Sequence, residues 1–227
     1  FSNMLIFDLK KTHELAVIKN QFSFKRVMIL NKKCLPFGFI MLLTSINVNV
    51  HAYILKSLHG LEVVGVYSSI AYLFFIGRLG TASIAQTLAP RLSKFRLNNN
   101  SLFYSYLIRL IGFGIFLGTL SAAVAYIWGD SILVLAYGQK FGTYQNVLVV
   151  VMIAAGFSYI SQFMGLGFTI DRKTTVMLAT NVTAILAGGI VTYVTASNFG
   201  ALGAASGFAV SMMTIMLLSM LYMVLSF

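Results

Sequence analysis

Hydrophobic residues occur in this chain as long, uninterrupted stretches, and short segments between them hold most of the polar and charged residues. A helix needs roughly 20 predominantly apolar residues to cross the hydrocarbon core of a bilayer. The stretches are continuous, unlike the alternating strands of about ten residues in a membrane β-barrel. The pattern predicts an all-α, polytopic membrane bundle of about six transmembrane helices. Their predicted ranges are 34–55, 63–89, 102–128, 144–170, 174–195 and 200–227.

Composition excludes a water-soluble globular protein. The 227 residues are 59% hydrophobic and only 9% charged, whereas soluble domains carry about 25% charged residues. The single cysteine, Cys34, excludes an internal disulfide and a multi-cysteine metal site. The sequence holds no phosphate-binding loop, serine-hydrolase elbow or zinc-protease motif. We therefore expect a protein that is not an enzyme and that uses no cofactor and no metal.

The uneven distribution of lysine and arginine predicts an orientation. Twelve of the 16 Lys and Arg residues lie in 1–33, 90–101 and 171–173. Basic residues are retained on the cytoplasmic side of a membrane, so both termini are predicted to be cytoplasmic. Residues 1–33 are interpreted as a basic cytosolic connector, with a surface-lying helix over part of it as an alternative, and 34–227 as the transmembrane lobe. Because the charges lie between hydrophobic runs, nucleic acid is not an expected partner.

Arg78 is the main candidate for a binding site. It lies 12 residues before Pro90, or about 18 Å along a helix, and this places it near the middle of the membrane. Such arginines usually line a substrate pathway, and a guanidinium suits an anion such as phosphate. The alternative is an arginine whose donors are satisfied by neighbouring helices. Arg109 lies closer to the cytoplasmic end, where it either contributes to the same cavity or extends to the membrane surface.

Other polar residues are weaker candidates. Asn47 and His51 share one helical face with Thr44, and these residues either line the cavity or form hydrogen bonds between helices. Gln86 has the same two interpretations. The basic residues predicted to surround the cytoplasmic mouth are Arg91, Lys94 and Arg96.

Small residues and carboxylates add two further expectations. A GxxxG pair at Gly114 and Gly118 predicts close helix packing, as does the later series Gly200, Gly203 and Gly207. No Asp or Glu lies deep inside a predicted membrane helix. A proton or sodium site built on a membrane carboxylate is therefore not expected in this segment.

Three motifs resemble one transporter family. VGVYSSIAYLF at 64–74 opens an apolar stretch that ends in the basic PRLSKF, ILVLAYGQKF lies at 132–141, and NFGALGAASGFAVS lies at 198–211. In order and spacing they resemble bacterial O-antigen and capsular polysaccharide flippases of the multidrug/oligosaccharidyl-lipid/polysaccharide superfamily. The resemblance covers about residues 34–227.

The resemblance implies a fold of two six-helix lobes around a central cavity, of which this chain is the second. It implies translocation of an undecaprenyl-diphosphate-linked oligosaccharide across the bacterial inner membrane, with Arg78 and Arg109 meeting the diphosphate. Membrane lipids and a missing N-terminal lobe, or a second chain, are the expected partners. A drug or metabolite antiporter and a non-transporting scaffold subunit of a glycan assembly complex are the alternatives. Because Phe1 is not a start methionine, we expect the chain to be a fragment of a longer protein.

Overall fold

A computed structural model describes residues 24–225, and this part of the chain is all α-helical apart from short connections. It contains five helices that are long and apolar enough to cross a membrane, which confirms the predicted all-α class. Residues 1–23 of the predicted basic connector lie outside the described residues. The chain divides after Gly38 into two compact units, and the packing described below is that of the second unit. The helices are α1 (Phe24–Asn98), α2 (Asn100–Tyr137), α3 (Gln145–Ile170), α4 (Thr174–Phe199) and α5 (Ala201–Leu225), with a 3₁₀ segment at Gln139–Tyr144.

Helix α1 is 75 residues long and is broken at Gly60. Gly60 has φ 78° and ψ −171°, a conformation that glycine alone adopts without strain. Rings of His51 and Phe74 both pack against Phe208, with centroids 5.6 and 5.0 Å apart. In a straight helix they would lie about 35 Å from each other. The chain therefore reverses direction at Gly60, within the predicted polar connection, and separates α1a (residues 39–59) from α1b (residues 61–98).

Two predicted helix ends are wrong. The second helix was predicted to end at residue 89, just before Pro90, but α1b continues to Asn98. Beyond the proline, Leu92 is fully buried in a cluster with Phe103 and Leu107. Packing of this kind opposes the roughly 3 kcal/mol by which proline disfavours a helix interior. Similarly, α2 extends past the predicted end at residue 128 to Tyr137.

Small residues allow the helices to approach closely, as the glycine pattern predicted. A Cβ atom on Gly118 of α2 would lie 2.5 Å from the Cα of Gly156 on α3, and one on Gly203 of α5 would lie 2.5 Å from the Cα of Ala196 on α4. At both points the backbones meet with no room for a side chain. Van der Waals contact between such backbones is a main source of stability for membrane helix pairs.

The helix connections collect at two ends of the bundle. Arg96, just before the first connection, bonds to Asp171 in the tight turn between α3 and α4. The end that contains residues 90–101 and 171–173 is called the basic end. At the opposite end, the Gly60 end, His59 lies 2.5 Å from the carbonyl oxygen of Ala196. The contact between Arg96 and Asp171 thus joins residues 90–101 to residues 171–173, two segments that were predicted to lie on the same side of the membrane.

Candidate functional site

Arg78 lies half-buried near the middle of the bundle. The adjacent Gly77 faces the Tyr159 hydroxyl so closely that a Cβ there would collide with it, and Tyr159 is near the centre of α3. The Arg78 guanidinium lies 5.9 Å from the ring centroid of Phe74. Within residues 34–225 this guanidinium forms no hydrogen bond and no ion pair. Its five N–H donors are therefore not used by the described protein atoms and can meet an anion or water.

A polar contact between α1b and α3 lies about one turn beyond Arg78, towards the basic end. Thr81 donates a hydrogen bond to the carbonyl oxygen of Arg78 at 3.0 Å, and its hydroxyl lies 3.3 Å from Oε1 of Gln162 on α3. Gln86 lies further along α1b and is exposed. The sequence analysis identified Gln86 as a site residue. In the structure, the glutamine whose side chain contacts Thr81 is Gln162.

Arg109 lies nearer the basic end than Arg78 does. Leu107 packs on Gly167, eight residues beyond Tyr159 in α3, or about 12 Å nearer the basic end along the helix axis. The Arg109 side chain is exposed, and its guanidinium carbon lies 5.7 Å from the centroid of the Tyr106 ring. The sequence analysis left open whether Arg109 lines the same cavity as Arg78 or extends to the membrane surface, and that choice stays a prediction.

The three basic residues predicted at the cytoplasmic mouth all lie at the basic end, in different surroundings. Arg91 and Lys94 are exposed. Arg96 donates hydrogen bonds to both carboxylate oxygens of Asp171, at 2.7 and 3.2 Å. It also donates to Asn100 at 3.0 Å and to the Tyr104 hydroxyl at 2.9 Å. Arg96 therefore connects α1b, the start of α2 and the turn after α3, and its donors are engaged within the protein.

His51 belongs to a buried network between α1a, α4 and α5. Its Nδ1 lies 2.6 Å from the Thr192 hydroxyl and its Nε2 lies 3.2 Å from the Ser211 hydroxyl. Those hydroxyls are also within hydrogen-bond distance of the Gly188 and Ala184 carbonyl oxygens. A neutral imidazole has one donor and one acceptor, so one of the two hydroxyls donates to His51 instead of to its carbonyl.

Asn47 lies one turn before His51 and is only 1% exposed. Both polar atoms of its amide are buried and find no hydrogen-bond partner among residues 34–225. Such a group costs about 1–3 kcal/mol, and one in a native protein requires an explanation. The predicted site role of Asn47 and His51 stays a prediction, because the described packing gives His51 only protein partners and gives Asn47 none.

Thr192 and Ser211 were not identified by the sequence analysis. Each follows small residues on the buried face of its helix. The sequence offered one signal for them: on each helix they continue a series of mostly small and polar residues spaced three or four positions apart, and the structure shows these positions to be buried. The residues on these faces are Asn181, Ala184, Gly188 and Thr192 in α4, and Ala204, Gly207, Phe208 and Ser211 in α5.

The three motifs that carry the family resemblance meet in the structure. The Tyr137 hydroxyl of the second motif donates to the Ser69 carbonyl oxygen of the first motif at 2.7 Å. Phe74 at the end of the first motif packs edge-on against Phe208 of the third, with centroids 5.0 Å apart. These motif residues pack helices together towards the Gly60 end.

Comparison with known proteins finds similarity to a capsular polysaccharide protein. The chain is 31% identical over 149 residues to the capsular polysaccharide biosynthesis protein CapF of Staphylococcus aureus. The match covers 65% of this chain and 36% of CapF, so the chain spans little more than a third of its relative. No family model and no solved structure matches the chain. The chain is thus distantly homologous to part of CapF and contains five apolar, membrane-length helices among its described residues.

Proposed function

We propose that this chain is one lobe of a membrane transporter that moves a lipid-linked oligosaccharide across the bacterial plasma membrane for capsular polysaccharide assembly. Arg78 carries the transport part of the proposal, because it is a half-buried cation in mid-bundle with no ion pair among residues 34–225. Intramembrane ionisable groups usually mark a substrate path. Similarity to CapF supports the capsular pathway.

The proposed topology has six membrane crossings. Because the chain reverses at Gly60, α1a and α1b would each cross once, and helices α2 to α5 would supply the other four. Five basic residues lie at the basic end, namely Arg91, Lys94 and Arg96 in the last turns of α1b and Arg172 and Lys173 in the turn after α3. By the positive-inside rule that end would face the cytoplasm.

Transport would occur without covalent chemistry. The guanidinium of Arg78 can bind two oxygens of a phosphate or diphosphate at once, since its donors form a planar fork. A second lobe, on the same polypeptide or on another chain, would complete a central cavity. Rocking of the two lobes around the bound lipid would then expose Arg78 to each side in turn.

The test is to replace Arg78 in the complete protein. We expect Arg78→Gln to reduce surface capsule at least about tenfold at unchanged protein level, since one lost charge-assisted interaction is worth about 1.5–3 kcal/mol. Lipid-linked precursor should accumulate in the same cells. The matched control is Lys140→Gln, which removes an exposed cation at the Gly60 end and should leave capsule unchanged. A normal capsule level with Arg78→Gln would contradict the proposed role of Arg78 in substrate binding.

A further inference from the structure

Two arginines share one aromatic ring at the basic end. The guanidinium carbon of Arg91 lies 5.4 Å from the Tyr106 centroid, and that of Arg109 lies 5.7 Å from it. Arg91 also approaches the Tyr106 hydroxyl, at 3.5 Å. Phe95 stacks on Tyr106 with centroids 4.9 Å apart and so supports the ring from α1b. The arrangement joins α1b to α2 and keeps two exposed cations each within 6 Å of the centre of one ring.

No carboxylate among residues 24–225 neutralises these two arginines. The sequence places three carboxylate side chains in this range, at Glu62, Asp130 and Asp171. The Asp171 carboxylate is bound by Arg96. The other two belong to the Gly60 end, since Glu62 follows the break in α1 and Asp130 adjoins Gly129, which packs on Gln145 at the start of α3. Neighbouring like charges without a counter-ion favour the binding of an anion.

The position of Arg109 along α2 matches the surface of a bilayer. Residues 110–129 contain no charged side chain, and these twenty residues extend about 30 Å as a helix, the thickness of the hydrocarbon core. At the far end of this stretch Tyr126 and Trp128 are exposed, as expected for aromatic residues at the opposite membrane interface. In a bilayer, this stretch would place Arg109 and Tyr106 at the depth of the lipid headgroups.

We propose that Arg91, Tyr106 and Arg109 form a binding site for the phosphate group of a membrane lipid. Two guanidinium forks match the oxygens of a phosphodiester or diphosphate, and contact with the aromatic rings orients them before the ligand arrives. The site does not include Arg78, and its existence does not depend on the proposed transport. Bulk anionic lipid and a lipid-linked diphosphate offer the same chemistry, and binding measurements can distinguish them.

The experiment measures lipid binding to the purified full chain in neutral phosphatidylcholine nanodiscs. Phosphatidylglycerol and undecaprenyl diphosphate are titrated separately, and bound lipid is counted by native mass spectrometry. We expect R91Q and R109Q each to weaken phosphate-lipid binding about fivefold and the double variant about 25-fold, as for loss of one and two surface cations. K140Q is the matched control, because it removes an exposed cation at the Gly60 end and should change neither titration.

Each result decides the proposal. Loss of phosphatidylglycerol binding in the arginine variants supports a site for bulk anionic lipid, and loss of undecaprenyl diphosphate binding alone supports a site for lipid-linked diphosphate. Equal binding by wild type and the double variant, or an equal loss in K140Q, would overturn it. The single variants carry the same test if the double variant does not fold. A normal capsule with R78Q would contradict the transport proposal and leave this result unaffected.

Discussion

Arg96 and Asp171 form a two-pronged ion pair, with Nε 2.7 Å from Oδ1 and an Nη 3.2 Å from Oδ2. The two side chains are 29% and 18% exposed, so water screens the pair only in part. The pair joins the end of α1b to the turn between α3 and α4. It brings together two segments that charge alone had placed on the same side of the membrane.

The ion pair leads to a first prediction about stability. We expect Asp171→Asn to lower the free energy of unfolding by about 1–2 kcal/mol, because charge-assisted hydrogen bonds are lost at a partly exposed site. That corresponds to a fall of about 2–8 °C in the melting temperature of the detergent-solubilised chain. Glu62→Gln is the control, since Glu62 is exposed and has no salt bridge within residues 24–225. Equal melting temperatures for both variants would contradict the role of the pair.

The contact between Gly118 and Gly156 predicts strict intolerance of a side chain. Gly118→Ala would place a methyl group 2.5 Å from the Cα of Gly156, and overpacking of this kind costs about 1–3 kcal/mol. Gly112→Ala, in the same helix with nothing within 4 Å of its Cβ position, should instead be neutral or stabilising by up to about 1 kcal/mol. Thermal unfolding of the two variants measures the difference, and the opposite order would disprove the close packing.

The reversal at Gly60 predicts a conformational requirement for glycine. Because φ is 78° there, we expect Gly60→Ala to cost about 1–3 kcal/mol through backbone strain alone. The Cβ of the new alanine would meet no atom within 4 Å, so a clash is not the cause. Gly65→Ala is the matched control, since Gly65 is helical and its Cβ position is also open. Equal melting temperatures for the two variants would rule out strain at Gly60.

The buried amide of Asn47 predicts that replacing it will raise stability and lower function. Asn47→Leu removes two buried polar atoms that lack partners in the described part of the chain, so we expect the chain to be stabilised by about 1–3 kcal/mol. If the amide serves the proposed transport in another conformation, surface capsule should fall at the same time.

The control for this change is Asn49→Leu, which places the same side chain at an exposed position of α1a. Its melting temperature and capsule level should remain close to those of the wild type. Strong destabilisation by Asn47→Leu would show instead that the amide has a partner. Unchanged capsule would remove Asn47 from the proposed site.

The helices themselves could be predicted from the sequence, because length and hydrophobicity decide whether a segment can cross a membrane. The turn at residues 171–173 and the close packing at Gly118 followed from charge and from small residues. These are local properties of the chain, and each depends on a few neighbouring positions.

Where the helices end, and which polar residues come together, was decided by tertiary packing. Pro90 did not end α1b, because the buried Leu92 and the bonded Arg96 lie beyond it. Arg109 contacts the same Tyr106 ring as Arg91, since helix level and rotation depend on how α2 packs against α1b and α3. Periodicity assigns a residue to a face of its own helix, but the partner of that face is chosen by contacts between residues far apart in sequence.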